Sequence, residues 1–420
     1  MHRCHGYELV ADLNFDSNGD DVITSADEFW NNGEGWEPVG TPDGSQYFTA
    51  QFEGNGHVIR NLFINRFESE YVGLFGAIDS ASIQHLGLKN ARVSGEEKVG
   101  GLVGYARYQN TLEANSVSGR IYGSDSYTGG LAGYLGNYNI VKANFVSGKV
   151  SAEESYVGGI IGYIDRYNAL EGNLSTALVA GMTELGGIVG DGNGSTNVLQ
   201  NNYWATDASG QASSYYSDEN TSYVGLSLAV LRCAAQANTT SDNSDCVSTD
   251  GSEEGLDNTV TLFKDWETYG VNDGAGVFQP YWEFGSDQQL PSLRLNGTLY
   301  QDSDGDGILD DADAFELNYA AAMDQDLDGY PDAWTEGCNA ECRLDSGLEL
   351  DQFPSDTSAH LDTDLDGLAD AWNASCDAAC QSESSLILDA YPNDIDNDGV
   401  SDANDNDDNN DEITDADADS

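Results

Sequence analysis

Val99-Gly100-Gly101-Leu102-Val103-Gly104, Thr128-Gly129-Gly130-Leu131-Ala132-Gly133, Val157-Gly158-Gly159-Ile160-Ile161-Gly162 and Leu185-Gly186-Gly187-Ile188-Val189-Gly190 are one phrase written four times, and Val72-Gly73-Leu74-Phe75-Gly76 is a shorter fifth copy. The closing glycines, Gly76, Gly104, Gly133, Gly162 and Gly190, fall at a nearly constant step. A fixed period of this size marks a solenoid or stacked array. The rest of the unit keeps register: Leu112-Glu113-Ala114-Asn115 returns as Val141-Lys142-Ala143-Asn144, Leu170-Glu171-Gly172-Asn173 and Leu199-Gln200-Asn201-Asn202. Each unit carries two or three short runs rich in Val, Ile and Tyr, broken by Gly, Asn and Ser, which is strand and turn composition without a helical period. The unit is too short for a propeller blade and has no helix for a horseshoe, so each strand must pair with its copy one turn on. The expected fold is all-β, a right-handed parallel β-helix with coils about 4.8 Å apart.

Stacking places equivalent residues above one another. Asn115, Asn144, Asn173 and Asn202 should form an amide ladder, and Tyr105, Tyr134 and Tyr163 a column of rings. Glu113, Lys142, Glu171 and Gln200 should form an exposed column of alternating charge. The recurring glycines are expected to supply positive φ at corners and to let backbone approach backbone. With this phrase, residues 6 to 300 resemble the GLUG-motif proteins, bacterial surface and secreted proteins found beside some immunoglobulin A proteases.

The chain has 420 residues, 74 acids against 15 bases and a formal net charge of −59. Phosphate binding needs clustered Lys and Arg, so nucleic acid and anionic membrane surfaces are not expected partners. Such acidity suits divalent cations. About half of the acids follow residue 301, where Arg343 is the only Lys or Arg, an unevenness that a merely salt-adapted surface would not show. No apolar run is long enough to span a bilayer. No apolar h-region follows Met1, and residues 7 to 13 already read as a strand, so the chain is expected to be a fragment or to carry a misplaced start.

Cysteines stand at 4, 233, 246, 338, 342, 376 and 380. Close pairs on acidic loops without nearby histidines read as local disulfides in an oxidising compartment, Cys338 with Cys342 and Cys376 with Cys380. Cys233 with Cys246 would staple a polar loop, worth roughly 3 kcal/mol. Cys4 is left over.

In chain order, residues 1–71 are expected to be irregular opening coils, 72–204 the regular coils, and 205–300 a C-terminal cap over the last coil's apolar face and open edge. A short helix is expected between Gly225 and Cys233. The opening coils contain an EF-hand-like loop, with Asp16, Asn18, Asp20, Thr24 and Asp27 at positions 1, 3, 5, 9 and 12. Its position 6 is Asp21 where an EF-hand has Gly, and a solvated acidic turn is the other reading. Acids before each Gly-Gly, Glu96, Glu97, Asp125, Glu153, Glu154 and Glu184, form a turn column that is either hydrated or an ion-binding edge.

Residues 301–406 change chemistry. Asp-x-Asp-x-Asp-Gly-x-x-Asp occurs four times, with acids at Asp302, Asp304, Asp306 and Asp310; Asp324, Asp326, Asp328 and Asp332; Asp362, Asp364, Asp366 and Asp370; and Asp394, Asp396, Asp398 and Asp402. Trp334 and Trp372, Cys338 and Cys376, Cys342 and Cys380, and Pro354 and Pro392 are all separated by one and the same offset, so two whole units repeat. Ca²⁺ takes six to eight hard oxygens at about 2.4 Å. Alternate aspartates on a tight loop point inward together, Gly permits the bend, and the following carbonyl, Ile308 in the first copy, adds a ligand. The segment resembles the thrombospondin type 3 repeat, whose acidic loops wrap calcium with almost no apolar core. That resemblance implies a further acid, matched by Asp313 and Asp405, where the middle copies have Thr335 and Asn373 and so weaker sites. Residues 407–420 read as a disordered acidic tail.

The functional expectation is a non-catalytic, secreted or surface-displayed bacterial protein that binds calcium and adheres to a surface or glycan. Tyr105, Tyr134 and Tyr163 could also be a sugar-stacking platform. Two rivals stand beside this reading: a polysaccharide-active β-helix enzyme, which would need paired acids or an Arg/Lys base in a groove, and an accessory region of a secreted protease. The five histidines, His2, His5, His57, His85 and His360, show no ligand or triad spacing.

Overall fold

The computed structural model describes residues 6–18, 23–43, 46–193, 196–213, 223–232, 234, 236–240, 261–272, 275–284, 289–295, 298–300, 304, 308, 312–316, 318–335, 338 and 340–395. The chain forms two compact units, residues 1–310 and 311–420.

The first unit is a parallel β-solenoid. One coil runs through Val99–Gly100, Val103–Tyr108, Thr111–Glu113 and Ser116–Gly123. The next runs through Thr128–Gly129, Ala132–Asn137, Ile140–Lys142 and then Phe145–Val146 with Lys149–Ala152. Pairing follows the sequence period: Tyr105 lies opposite Tyr134 and Tyr134 opposite Tyr163, while Leu112, Val141, Leu170 and Leu199 stack in order. Four parallel sheets result. A regular coil therefore has four faces where two or three were expected, because the Gly-Gly phrase itself contributes a strand too short to show alternation.

The opening segment continues the stack, with Gly6–Glu8 paired to Gln51–Glu53 and Leu13–Asn14 to Val58–Arg60. The interior is filled by aliphatic columns such as Leu102, Leu131, Ile160 and Ile188, all fully buried. Each such side chain contributes about 1.5–3 kcal/mol of burial.

The phrase glycines overturn one expectation. None of Gly100, Gly101, Gly129, Gly130, Gly158 or Gly159 has a positive φ. They are required by close approach: a Cβ on Gly129 would overlap the Ala132 carbonyl and lie 2.5 Å from the Gly162 nitrogen. The left-handed corners are occupied instead by Lys98, Tyr127, Tyr156 and Glu184, and by His85, Ala114, Ala143, Gly172 and Asn201. Stacking offsets the strain there, as where the rings of Tyr127 and Tyr156 lie 4.9 Å apart and nearly parallel.

The cap also differs from expectation. Described residues 261–295 lie along one side of the solenoid, on the corner formed by Ala114, Ala143, Gly172 and Asn201 and on the strand residue Val58. Trp282 Nε1 donates to the Gly172 carbonyl at 3.1 Å, Trp266 Nε1 to the Asn201 carbonyl at 2.9 Å, and Leu295 meets Gly87. Small corner residues admit this cover, since a Cβ on Gly172 would strike the Tyr269 ring. The last coil's core is closed from within by Trp204, packed on Gly187 and Gly225 and 4 % exposed, and its edge is extended by Tyr223–Leu226 in parallel with Asn202–Ala205. The short helix is Leu228–Arg232, and Gly225 belongs to the strand. Cys4, Cys233 and Cys246 lie outside the described residues.

The second unit repeats its backbone bonds at the offset that separates Cys338 from Cys376. Asp332 N donates to Met323 O and Asp370 N to Leu361 O, while Asp351 N donates to Pro331 O and Asp389 N to Ala369 O. Two short helices, Ala340–Ser346 and Ala378–Glu383, were not foreseen. Each lies beside a disulfide, Cys338 with Cys342 and Cys376 with Cys380, as the spacing predicted. The apolar cluster is small: Ala320, Cys338 and Cys342 with Tyr319 and Trp334 against them. The expected acidic tail, residues 407–420, lies outside the described residues.

Candidate metal centre

Two loops of the second unit gather carboxylates. Asp324, Asp326 and Asp328 each place an oxygen within 4.8 Å of the others', and so do Asp362, Asp364 and Asp366. Backbone amides build the loops. Asp324 Oδ1 accepts from Leu327 N at 2.6 Å and its Oδ2 from Gly329 N at 3.0 Å; Asp362 accepts likewise from Leu365 N at 2.7 Å and Gly367 N at 2.9 Å. Leu327 and Leu365 take φ of 64° and 66°, and Gly329 and Gly367 take 98° and 91°. The turn thus needs two left-handed positions, and glycine fills the second.

Like charges at this range oppose ionisation. Burial first, then the neighbouring carboxylates, raise the pKa of Asp326, and burial does the same to Asp328 and Asp362. Asp332 and Asp370 stand outside the two groups and close the loops, accepting from Gln325 N and Thr363 N. They were expected as ligands; Asp351 and Asp389 stand outside the two groups as well.

Sequence reasoning missed Asp351 and Asp389. Both are buried. Burial, then Asp328, Asp326 and Asp332, push Asp351 up to about 6; burial, then Asp366, Asp364 and Asp370, raise Asp389. The signal was present, since Asp313, Asp351 and Asp389 are equally spaced and each stands two places before an aromatic residue. Asn373, read as a missing acid of the third copy, instead donates to Asp328 Oδ2 at 2.7 Å, reaching the copy before its own. Asp394 likewise donates its N–H to Asp364 Oδ2 at 2.8 Å.

The donor set is all hard oxygen, with the nearby cysteines held in disulfides, and it retains buried oxygens without a partner, Asp326 Oδ2 among them. These features fit a hard divalent cation such as Ca²⁺. Asp304, Ile308, Asp313 and Asp394 are described, the first, third and fourth as buried groups; Asp302, Asp306, Asp310, Asp396, Asp398, Asp402 and Asp405 lie outside the described residues.

In the opening loop Asp16 and Asp27 are buried and Asp20 is not described. Asp27 Oδ1 accepts from Ser17 N at 2.8 Å and Oδ2 from Thr24 N at 2.8 Å. Those amides, Thr24 first, lower its pKa. Asp27, expected as the position-12 ligand, thus ties Ser17 to Thr24.

In the solenoid both amide ladders are built. Asn115 Nδ2 reaches Asn144 Oδ1 at 3.1 Å, Asn144 reaches Asn173 at 2.9 Å and Asn173 reaches Asn202 at 2.8 Å. A second ladder through Asn110, Asn139 and Asn168 was legible at the same step along the chain and was missed. Tyr134 stacks on Tyr163 with centroids 5.0 Å apart, and Tyr105 meets Tyr134 edge-on at 5.5 Å. The charge column is only partly exposed: Gln200 is exposed as expected, while Glu113, Lys142 and Glu171 are half-buried. Lys142 lies 3.2 Å from Glu113, and the cap's Tyr269 and Tyr281 rings cover its ammonium. Beside it His85 Nδ1 pairs with Glu53 at 2.9 Å. Glu53, His85, Glu113, Lys142 and Tyr281 thus converge at the seam between cap and coils, although each is already engaged by a neighbour. In the turn column Glu97 pairs with Lys98 and Glu153 accepts from Tyr122, and among the described residues no metal-holding group forms there.

No family model matches the chain. It is 34 % identical over 125 residues to halomucin of Haloquadratum walsbyi, covering 29 % of this chain and 1 % of that protein. It is 42 % identical over 57 residues to a protein named as a Gly-rich membrane protein of Evansella cellulosilytica, covering 13 % of this chain and 6 % of that one. The chain therefore spans a small part of both relatives. A solved Bacteroides ovatus structure named as an immunoglobulin A1 protease aligns over 62 % of this chain and 86 % of its own, at a TM-score of 0.38 and 16 % identity. Among the described residues no helix is long and apolar enough to cross a membrane.

Proposed function

We propose that the chain is a non-catalytic, secreted or surface-displayed bacterial protein, in which a β-solenoid serves adhesion and the acidic second unit is stabilised by calcium. The observation that carries the reading is the pair of three-aspartate loops, each with its oxygens drawn together. The segment resembles thrombospondin type 3 repeats, and the solenoid resembles the GLUG-motif proteins. The names of the two relatives, a halomucin and a membrane protein, support a place at the cell surface. Calcium held by saturating protein oxygens is structural, because it leaves no open position for substrate. The ligand class that suits the solenoid is a glycan or a host surface, met by exposed aromatic residues such as Tyr138 and Tyr167.

Among the described residues, the rival enzyme reading stands on the seam of Glu53, His85, Glu113 and Lys142. Incubation of the full chain with neutral and acidic polysaccharides tests both at once. Binding without release of reducing ends is expected. Turnover abolished by His85→Ala would reject the non-catalytic reading.

A further inference from the structure

We propose that the carboxylates of Asp351 and Asp389 are the closing ligands of two divalent-cation sites, completing the three-aspartate loops that begin at Asp324 and Asp362 respectively. This rests on the reading of those loops as calcium sites and extends it to residues outside the Asp-x-Asp-x-Asp-Gly motif.

The two positions are built identically. Asp351 N donates to the Pro331 carbonyl at 2.9 Å and Asp389 N to the Ala369 carbonyl at 2.8 Å, which pins each backbone against the end of its loop. In each residue Oδ1 is used locally, accepting from Phe353 N at 2.7 Å and from Tyr391 N at 2.7 Å. This turn fixes the side chain. The other oxygen, Oδ2, is buried at both positions and has no hydrogen-bond partner. The residues are only 5 % and 8 % exposed. A buried carboxylate oxygen left unpaired is costly, and the backbone bonds to the Pro331 and Ala369 carbonyls hold each one beside its loop.

Among the described residues no Lys or Arg pairs with either oxygen. The single Lys or Arg after residue 301, Arg343, is occupied elsewhere: its Nε donates to Cys338 O, and its guanidinium lies over the Trp334 ring, while His360 pairs with Asn373 and Glu349. A cation between the loop and the buried oxygen would satisfy both, and its preference for six to eight oxygens explains why three loop carboxylates do not suffice. The same turn recurs at Asp313, whose Oδ1 accepts from Phe315 N at 2.7 Å. There the acid follows directly on its own motif, which runs from Asp302 to Asp310; in the next two copies a disulfide-bearing insert lies between loop and closing acid, and the chain returns to deliver it. The middle sites are therefore not deprived of an acid by Thr335 and Asn373.

The test is calcium titration of the full chain by isothermal calorimetry, paired with melting in EDTA and in calcium. The variants are Asp351→Asn, Asp389→Asn, the exposed control Glu349→Gln, and a triple Asp324→Asn, Asp326→Asn, Asp328→Asn. Asp351→Asn is expected to weaken one class of sites at least tenfold, to lower melting in calcium and to raise it in EDTA, because it removes an unpaired buried charge. A purely structural aspartate would lower melting in both conditions, and that outcome overturns the proposal. Loss of a site in the triple variant with unchanged binding in Asp351→Asn and Asp389→Asn overturns the proposal while sparing the calcium reading. Wild-type titration without calcium uptake overturns both.

Discussion

Asn144 shows why an amide recurs at its position inside each coil. Its Oδ1 accepts from Asn115 N at 3.0 Å and Asn115 Nδ2 at 3.1 Å, while its Nδ2 donates to Asn173 Oδ1, Leu112 O and Lys142 O. One side chain satisfies the coils on both sides. Asn144→Ala leaves several buried groups unpaired at about 1–3 kcal/mol each, so a loss of about 3 kcal/mol or more is expected. Denaturant unfolding followed by far-ultraviolet circular dichroism measures it, and a loss under about 1 kcal/mol would mean that the ladder is not a stabilising device. Gly129→Ala is predicted to be worse tolerated than Gly210→Ala despite the positive φ of Gly210. Its added Cβ meets backbone from the next coil, whereas nothing lies within 4 Å of Gly210. Comparing the melting temperatures of the two variants decides this. The Asn115 ladder was legible because identical residues recur at a fixed step. Of the two roles expected for Gly129, close approach holds and positive φ does not, because sequence cannot separate a glycine needed for φ from one needed for space.

Among elements, the lateral cover and the charged column are read together. The repeat told which residues form the column, but burial of that column depends on residues 261–295, which share no period with it. Trp282 packs on Trp266 with centroids 4.3 Å apart and bonds the Gly172 carbonyl. Trp282→Ala should cost about 3–5 kcal/mol in cover stability and expose residues 261–295 to protease while the coils stay resistant. Simultaneous digestion of both would contradict a separable cover. The seam also sets an acid limb. Burial alone would raise the Glu53 pKa, but bonds from His85 and Asn55 N outweigh it and hold the carboxyl below its ordinary 4.5. Its folded-state value is lower than its unfolded one, so it stabilises the solenoid above about pH 4.5 and loses that contribution as pH falls further. Glu53→Gln should flatten the fall in melting temperature below pH 4.5, and an unchanged acid limb would remove Glu53 as its source.

For the whole molecule the decisive contrast is between a unit held by columns of apolar and amide side chains and a unit rich in carboxylates whose apolar cluster, among the described residues, is Ala320, Cys338 and Cys342 with Tyr319 and Trp334 against them. The first was legible because periodicity encodes stacking. The second was legible in its motif spacing but not in its closing acids, since those are brought back across an insert by tertiary pairing. A chain with net charge −59 whose acids crowd after residue 301 should resist compaction there until cations are supplied. The most direct measurement is scanning calorimetry of the full chain in EDTA and in millimolar calcium. One transition, assigned to residues 311–420 by proteolysis at intermediate temperature, should rise on the order of ten degrees or more with calcium, while the solenoid transition stays in place. Two transitions indifferent to calcium would contradict the account.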